Sequence, residues 1–370
     1  MKLKLLGLAV SALMLASCGK KEGDTAATAP AAEEEKVLNV YNWSDYIAPG
    51  TLAKFEKETG IKVTYDVFDS NEVLETKLVT GNTGYDVVVP SLTFLARQIQ
   101  AGVFMPLDKT KIPNLANMDP EIQANIAKLD AGNTHSVNYL WGTTGIGYNV
   151  KKIKEIFGDT APVDSWALVF DPANLAKLKE CGVYMLDTPS EIIPPVLNYL
   201  GEEPNSFDPA VIAKAEARLK ELRPSITQFH SSEYINALAN GDACVAVGWS
   251  GDIFQAATRA EEANNGVEIA YVIPKEGAPM WFDMMAIPKD AKHPNNAHAF
   301  INFILRPEIA AEISNYVAYA SANKAALASI DAELKANPGV YPTEEAKKGL
   351  FSLAVLPPEV DRLFNRIWTG

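Results

Sequence analysis

The stretch Val37-Leu38-Asn39-Val40-Tyr41-Asn42-Trp43-Ser44-Asp45-Tyr46 decides the fold class. Its first seven residues are rich in apolar and β-prone types and predict a strand over Val37–Trp43 that runs into a polar-aromatic end. Pro49 suits a first helical turn, and Leu52, Ala53 and Phe55 then line a helix that Gly60 stops. A second strand is expected over Ile61–Phe68. Ser70-Asn71-Glu72-Val73-Leu74 opens a further helix, with Val73, Leu74, Lys77 and Leu78 on one side. Tyr85–Val89 reads as a third strand ended by Pro90, and Ser91 caps or closely precedes a helix through Gln100. This alternation predicts an α/β fold with mainly parallel sheets. In open sheets of that kind ligands sit at the carboxyl ends of strands, where Ser44, Asp45 and Ser91 all fall.

The pattern continues outward. Thr143-Thr144-Gly145-Ile146-Gly147-Tyr148-Asn149 reads as a crossover strand; it lacks the third glycine and the later acid of a dinucleotide-binding loop. Helices are expected over 173–180, 189–200 and 209–222, and from Ser231-Ser232-Glu233-Tyr234 onward. A strand over Cys244–Gly248, two strands within 267–287, and helices over Asn296–Leu305 and Pro307–Tyr316 follow. The folded part, about 330 residues, exceeds what one core usually organises. Two lobes are therefore expected: 37–142 plus 276–328, and 143–275 plus 329–370.

The N-terminus bears on compartment. Lys2 and Lys4 precede an apolar run, Leu5 to Ala16, which is too short to span a bilayer. Leu15-Ala16-Ser17-Cys18 has the form of a lipobox, with 1–17 as the signal and Cys18 as the acylated residue; a plain secretory signal with an incidental cysteine is the other reading. Residues 18–36 are rich in Ala, Thr and Glu and read as a flexible tether. The formal net charge is −13, and loss of Lys2 and Lys4 with the signal takes it to −15. Such a body repels nucleic acid and attracts cations. In an oxidising compartment Cys181 and Cys244 are most simply one disulfide, the alternative being two buried thiols.

Three aromatic–acid clusters stand out: Trp43-Ser44-Asp45-Tyr46, Trp249-Ser250-Gly251-Asp252 and Trp281-Phe282-Asp283. Aromatic faces attract ammonium groups and carboxylates neutralise them, so the clusters suit a small organic cation. Ordinary interface packing is the competing account of any one of them. Glu191 follows an apparent strand-to-helix break, where a first-turn acid is also favoured by the helix dipole alone. Tyr319 lies between helices, where inter-lobe packing is equally open. No catalytic constellation emerges: Gly248-Trp249-Ser250-Gly251 lacks nucleophile-elbow spacing, and His135, His230, His293 and His298 are scattered. Neither a cofactor nor a metal is called for.

Several ordered blocks carry a family resemblance: Tyr41–Ile47, Phe55–Gly60, Val67–Glu72, Thr143–Asn149, Phe229–Asp252, Trp281–Pro288 and Tyr319–Lys324. Together, from about Val37 to the end, they resemble the bacterial polyamine-binding proteins of ABC importers, closest to the putrescine-binding subgroup. The resemblance implies a type II periplasmic binding-protein fold, in which two α/β lobes joined by two crossing segments close on one ligand. It places the ligand on Trp43, Ser44, Asp45, Tyr46, Ser91, Glu191, Trp249, Asp252, Trp281, Asp283 and Tyr319, and a disulfide on Cys181 and Cys244. Trp281 stands where the putrescine-binding members have a smaller aromatic and the spermidine-binding members have Trp. Thr93 and Thr188 match neither subgroup, so these three are the expected specificity positions. The implied partners are a small polyamine and an ABC permease in the inner membrane. The implied setting is a periplasmic monomer; the lipobox at Cys18, unusual against the soluble periplasmic members, adds membrane contact through its lipid anchor alone. A polyamine sensor for a signalling partner is the alternative. An iron(III) binder of the same fold would need a tyrosine pair, and Tyr316 and Tyr319 are three apart rather than adjacent.

Overall fold

The computed structural model describes residues 34–370. The signal segment, Cys18 and most of the tether lie outside the described residues. Ten strands follow in chain order: β1 (Val37–Trp43), β2 (Lys62–Phe68), β3 (Val87–Val88), β4 (Ser136–Asn149), β5 (Val183–Met185), β6 (Gln228–Phe229), β7 (Val245–Trp249), β8 (Ile269–Val272), β9 (Ala278–Ala286) and β10 (Leu350–Ser352). They pair in the order β2-β1-β3-β9-β4-β7-β5-β6, with β10 added on β9 and β8 on β4.

The local signals around the opening stretch act as their chemistry dictates. The helix Thr51–Thr59 ends at Gly60, whose φ of 72° is left-handed and whose amide closes on the Glu56 carbonyl. Ser70 Oγ accepts from the Val73 amide at 3.3 Å and starts the helix Asn71–Thr80. That helix buries Leu74 and Leu78, whereas Val73 is 47% exposed. The 100° step per residue turns Val73 off the Leu74–Leu78 stripe. The third strand is shorter than expected. The Asp86 amide donates to the Asn39 carbonyl at 2.8 Å, but the Asn39 amide is diverted to the Asp86 carboxylate at 2.9 Å, and Pro90 cannot donate.

The sheets are mixed rather than mainly parallel. The outer pairs β1–β2, β1–β3, β5–β6 and β5–β7 are parallel, but β4 runs antiparallel to β7, β8 and β9. Strands β4 and β9 are the cause, since β9 also runs antiparallel to β3. The first part of β4, Ser136–Thr143, pairs with β9; its second, from Thr144, pairs with β7, and Ile146–Asn149 also pair with β8. One 14-residue strand thus belongs to two sheets and changes partner between Thr143 and Thr144. It brings the carboxyl ends of β1 and β7 together, with the Trp43 and Trp249 rings 5.3 Å apart at 78°.

Two ties hold the edges. The disulfide Cys181–Cys244, with Cα atoms 5.6 Å apart, joins the approach to β5 to the residue before β7. Glu34, read above as tether, accepts from the Asn295 and Asn296 amides at 2.9 and 3.0 Å, on the first turn of the helix Pro294–Ile304. Its charge satisfies free N–H groups there, so the held chain includes Glu34 ahead of Val37. No helix among the described residues is long and apolar enough to cross a membrane.

The disulfide spans a sequence separation of 63 residues. Replacing both cysteines by serine should therefore cost about 4 kcal/mol on the chain-entropy account. Urea denaturation at equilibrium checks this, and an unchanged midpoint with an unchanged slope would contradict it.

Candidate functional site

Ten of the eleven expected positions line one narrow cavity of about 360 Å³: Trp43, Ser44, Tyr46, Ser91, Glu191, Trp249, Asp252, Trp281, Asp283 and Tyr319. They come from both halves of the sheet. Trp43 ends β1 and Trp249 ends β7, while Trp281 and Asp283 are two apart on β9 and so share a face. Glu191 lies in the first turn of the helix Pro189–Tyr199, and Asp252 in the first turn of the helix Ser250–Ala263. Free N–H groups at both helix starts favour negative charge.

Each acid is buried and held by hydroxyl donors. Asp283 accepts from Tyr46 Oη at 2.7 Å and from Ser91 Oγ at 2.6 Å. Asp252 accepts from Tyr234 Oη and Tyr319 Oη, each at 2.7 Å. Glu191 accepts from Thr144 Oγ1 at 2.7 Å, and the Trp281 indole N–H donates to that same oxygen at 3.1 Å. Ser91 is positioned in turn by Asn71: its amide donates to Asn71 Oδ1 at 2.9 Å, and Asn71 Nδ2 donates to its hydroxyl at 3.0 Å. The expected side-chain cap of the following helix is absent, because the Ser91 hydroxyl is turned to Asp283. The walls are aromatic. Tyr319 lies 5.1 Å from Tyr46 and 5.5 Å from Trp281, and the Trp43 indole is fixed by donating to the Val89 carbonyl at 2.8 Å.

Among the described residues, no lysine, arginine or histidine lines the cavity. Burial away from water pushes Asp252 and Asp283 up to about 7, against the pull of their tyrosine and serine donors. Burial also lifts Glu191 to about 7; the Thr144 hydroxyl opposes this and the Glu72 charge adds to it.

Three expected positions lie elsewhere. Asp45, at a left-handed φ of 54°, is turned off the cavity, and its carboxylate pairs with Arg259 at 2.6 Å. Thr93 lines neighbouring chambers, and Thr188 is buried just before the Glu191 helix without lining the cavity. Tyr316 is 54% exposed, so it makes no pair with Tyr319 in the cavity. Sequence reading also missed Tyr234, Thr144 and Asn71, the donors behind the acids. A signal did exist in Gly248 and Gly251. A Cβ at Gly248 would collide with the Tyr234 ring, and one at Gly251 with the Tyr319 ring. Close approach by the two tyrosines that hold Asp252 requires glycine at both places.

Comparison with known proteins follows the same lines. Residues 51–343 match the family of bacterial extracellular solute-binding proteins. The putrescine-binding periplasmic protein PotF of Escherichia coli (strain K12) is 54% identical over 366 residues, covering 99% of this chain and 96% of that protein. Among solved structures, the spermidine/putrescine ABC transporter substrate-binding protein PotD of Streptococcus pneumoniae superposes with a TM-score of 0.70. It is 33% identical and covers 90% of this chain and 98% of its own. The TpPotD lipoprotein of Treponema pallidum gives a TM-score of 0.75 at 29% identity, with the same coverages.

The raised carboxyls set a pH dependence for the ligand-free protein. Unfolded, these groups titrate near 4; folded, near 7. Between those values only the folded state holds the protons, so their contribution is fully present below about 4 and is lost as pH rises through about 7. The thermal midpoint of Asp252→Asn or Asp283→Asn should therefore fall less than the wild type's between pH 5.5 and 8. Parallel profiles would contradict the assignment.

Proposed function

The chain belongs to the bacterial extracellular solute-binding proteins, and from that premise we propose that it is the substrate-binding protein of a polyamine ABC importer. It captures a short polyamine, putrescine foremost, and delivers it to a permease in the inner membrane. The observation that carries this reading is a missing counter-charge: three buried carboxylates meet in an aromatic-walled cavity whose lining has no basic side chain. A buried charge needs a partner, and the partner is the ligand.

The residues take their roles from their chemistry. Asp252 and Asp283, pre-oriented by their hydroxyl donors, accept charge-assisted hydrogen bonds from ammonium groups. Glu191 meets charge from its own helix start. The faces of Trp43, Trp249, Trp281 and Tyr319 enclose the methylene chain and attract the cations at its ends. A bare metal ion would leave those faces unused. The 54% identity to a putrescine-binding protein supports the diamine, and the chain is a binding protein rather than an enzyme.

In this reading the two lobes are 37–142 plus 276–328, and 143–275 plus 329–370. The partner change in β4 at Thr143–Thr144 supports a hinge there. The lobes close on the ligand, and Trp281 governs ligand length. The protein works as a monomer in the periplasm, held to a membrane through acylated Cys18. A lipoprotein among the solved relatives supports the anchor.

Asp252→Asn and Asp283→Asn should each weaken putrescine binding by about 2–4 kcal/mol, since a desolvated ammonium loses its ionic partner. Calorimetric titration of the two variants, with circular dichroism to confirm the fold, tests the reading. Unchanged affinity in both would overturn it.

A further inference from the structure

Beyond the cavity lies a larger chamber of about 1170 Å³, against about 360 Å³ for the cavity itself. The two share Ser91, Glu191 and Trp281 as a common wall. Past that wall the chemistry changes. Leu92, Phe94, Leu129 and Val355 make the chamber largely apolar, and the one charged lining residue besides Glu191 is Lys128. Lys128 Nζ donates to Asn125 Oδ1 at 2.9 Å, and both residues are on the chamber wall.

Outward from Glu191 the charged residues lining the spaces are Lys128 and Arg97. Glu72, the acid beside Glu191, accepts from Ser190 Oγ at 2.7 Å through one oxygen, and its other oxygen is buried. It is not part of the chamber lining. A third space adjoins the chamber through Thr93, Phe94, Leu353 and Ala354, and its only charged lining residue is Arg97, committed to Glu75 and Asp361. No carboxylate other than Glu191 lines the way out. An ammonium carried past Glu191 would meet the Lys128 ammonium and no carboxylate of the lining. An amide carbonyl there could accept from Lys128, and its carbon chain would cover the apolar side chains.

Resting on the polyamine reading, we propose that the outer chamber is a binding site for an uncharged substituent on one nitrogen of the bound diamine. The ligand class is an N-substituted four-carbon diamine whose tail ends in a neutral acyl amide. Two nitrogens stay charged within the acidic cavity, and the tail passes between Trp281 and Ser91 into the chamber.

Spermidine and N1-acetylspermidine provide a matched pair. Both carry the four-carbon diamine unit with two cationic nitrogens; they differ in whether the tail ends in an ammonium or in a neutral acetamide. Titration of the whole folded protein should show N1-acetylspermidine binding about fivefold more tightly than spermidine, the scale of one exposed charge contact. Lys128→Glu should shift that ratio towards spermidine by a similar factor and leave putrescine unchanged. Ala354→Trp, which fills the chamber, should weaken both N1-acetylspermidine and spermidine, whose tails enter it, and leave putrescine unchanged. Tighter binding of spermidine by the wild type, or a ratio unmoved by Lys128→Glu, would overturn the inference. If putrescine binds and N1-acetylspermidine does not, this inference alone fails; if putrescine does not bind, the polyamine reading fails with it.

Discussion

Three carboxyl groups, those of Glu191, Asp252 and Asp283, are taken out of water at 4–5% residue exposure without a basic partner in the cavity, and much of the structure answers to that constraint. A buried carboxylate with no donor would cost several kcal/mol, so each has hydroxyls aimed at it. The donors come from distant parts of the chain: Tyr46 and Ser91 for Asp283, Tyr234 and Tyr319 for Asp252, Thr144 for Glu191. Holding them within 2.6–2.7 Å fixes how the strand ends and helix starts meet. Neutral hydroxyls satisfy lone pairs but supply no positive charge. The three acids therefore hold their protons unusually strongly.

The fold meets this demand with two long strands. Strand β9 carries Trp281 and Asp283 on one face, and β4 carries Thr144 just past the point where it changes partner from β9 to β7. An aromatic wall, the acid Asp283 and the donor to a second acid, Glu191, thus share one junction. Both strands run against their neighbours, β9 against β3 and β4 against β7, which makes the sheet mixed. On the proposed reading the hinge falls at this same junction.

The parts of the site visible in the sequence were those whose chemistry is carried by neighbouring residues. Trp249 and Asp252 are three apart, and Trp281 and Asp283 two apart, so an aromatic face and a charge can be read together. Tyr234 and Thr144 were not visible. A tyrosine in a helix start and a threonine in a strand read as ordinary core until their acid partners, 18 and 47 residues away, are known. Asp45 was misplaced for the converse reason: its local context matches the cavity residues, and Arg259, 214 positions on, captures it. The alternation that indicated an α/β fold could not reveal that β4 runs antiparallel to its neighbours, because strand direction leaves no trace in periodicity. Thr93 was legible as a specificity position only by resemblance, and it lies in the outer chambers.

The central claim is that a cationic ligand replaces the protons held by these buried acids. The most direct test is calorimetric titration with putrescine near pH 6.5, repeated in buffers of different ionisation enthalpy, which counts protons exchanged on binding. Acids lifted to about 7 are partly protonated at that pH, and an ammonium beside them lowers their pKa. Net release of protons, diminished in Asp252→Asn and Asp283→Asn, is the expected result. Binding with no proton release at that pH would contradict the account.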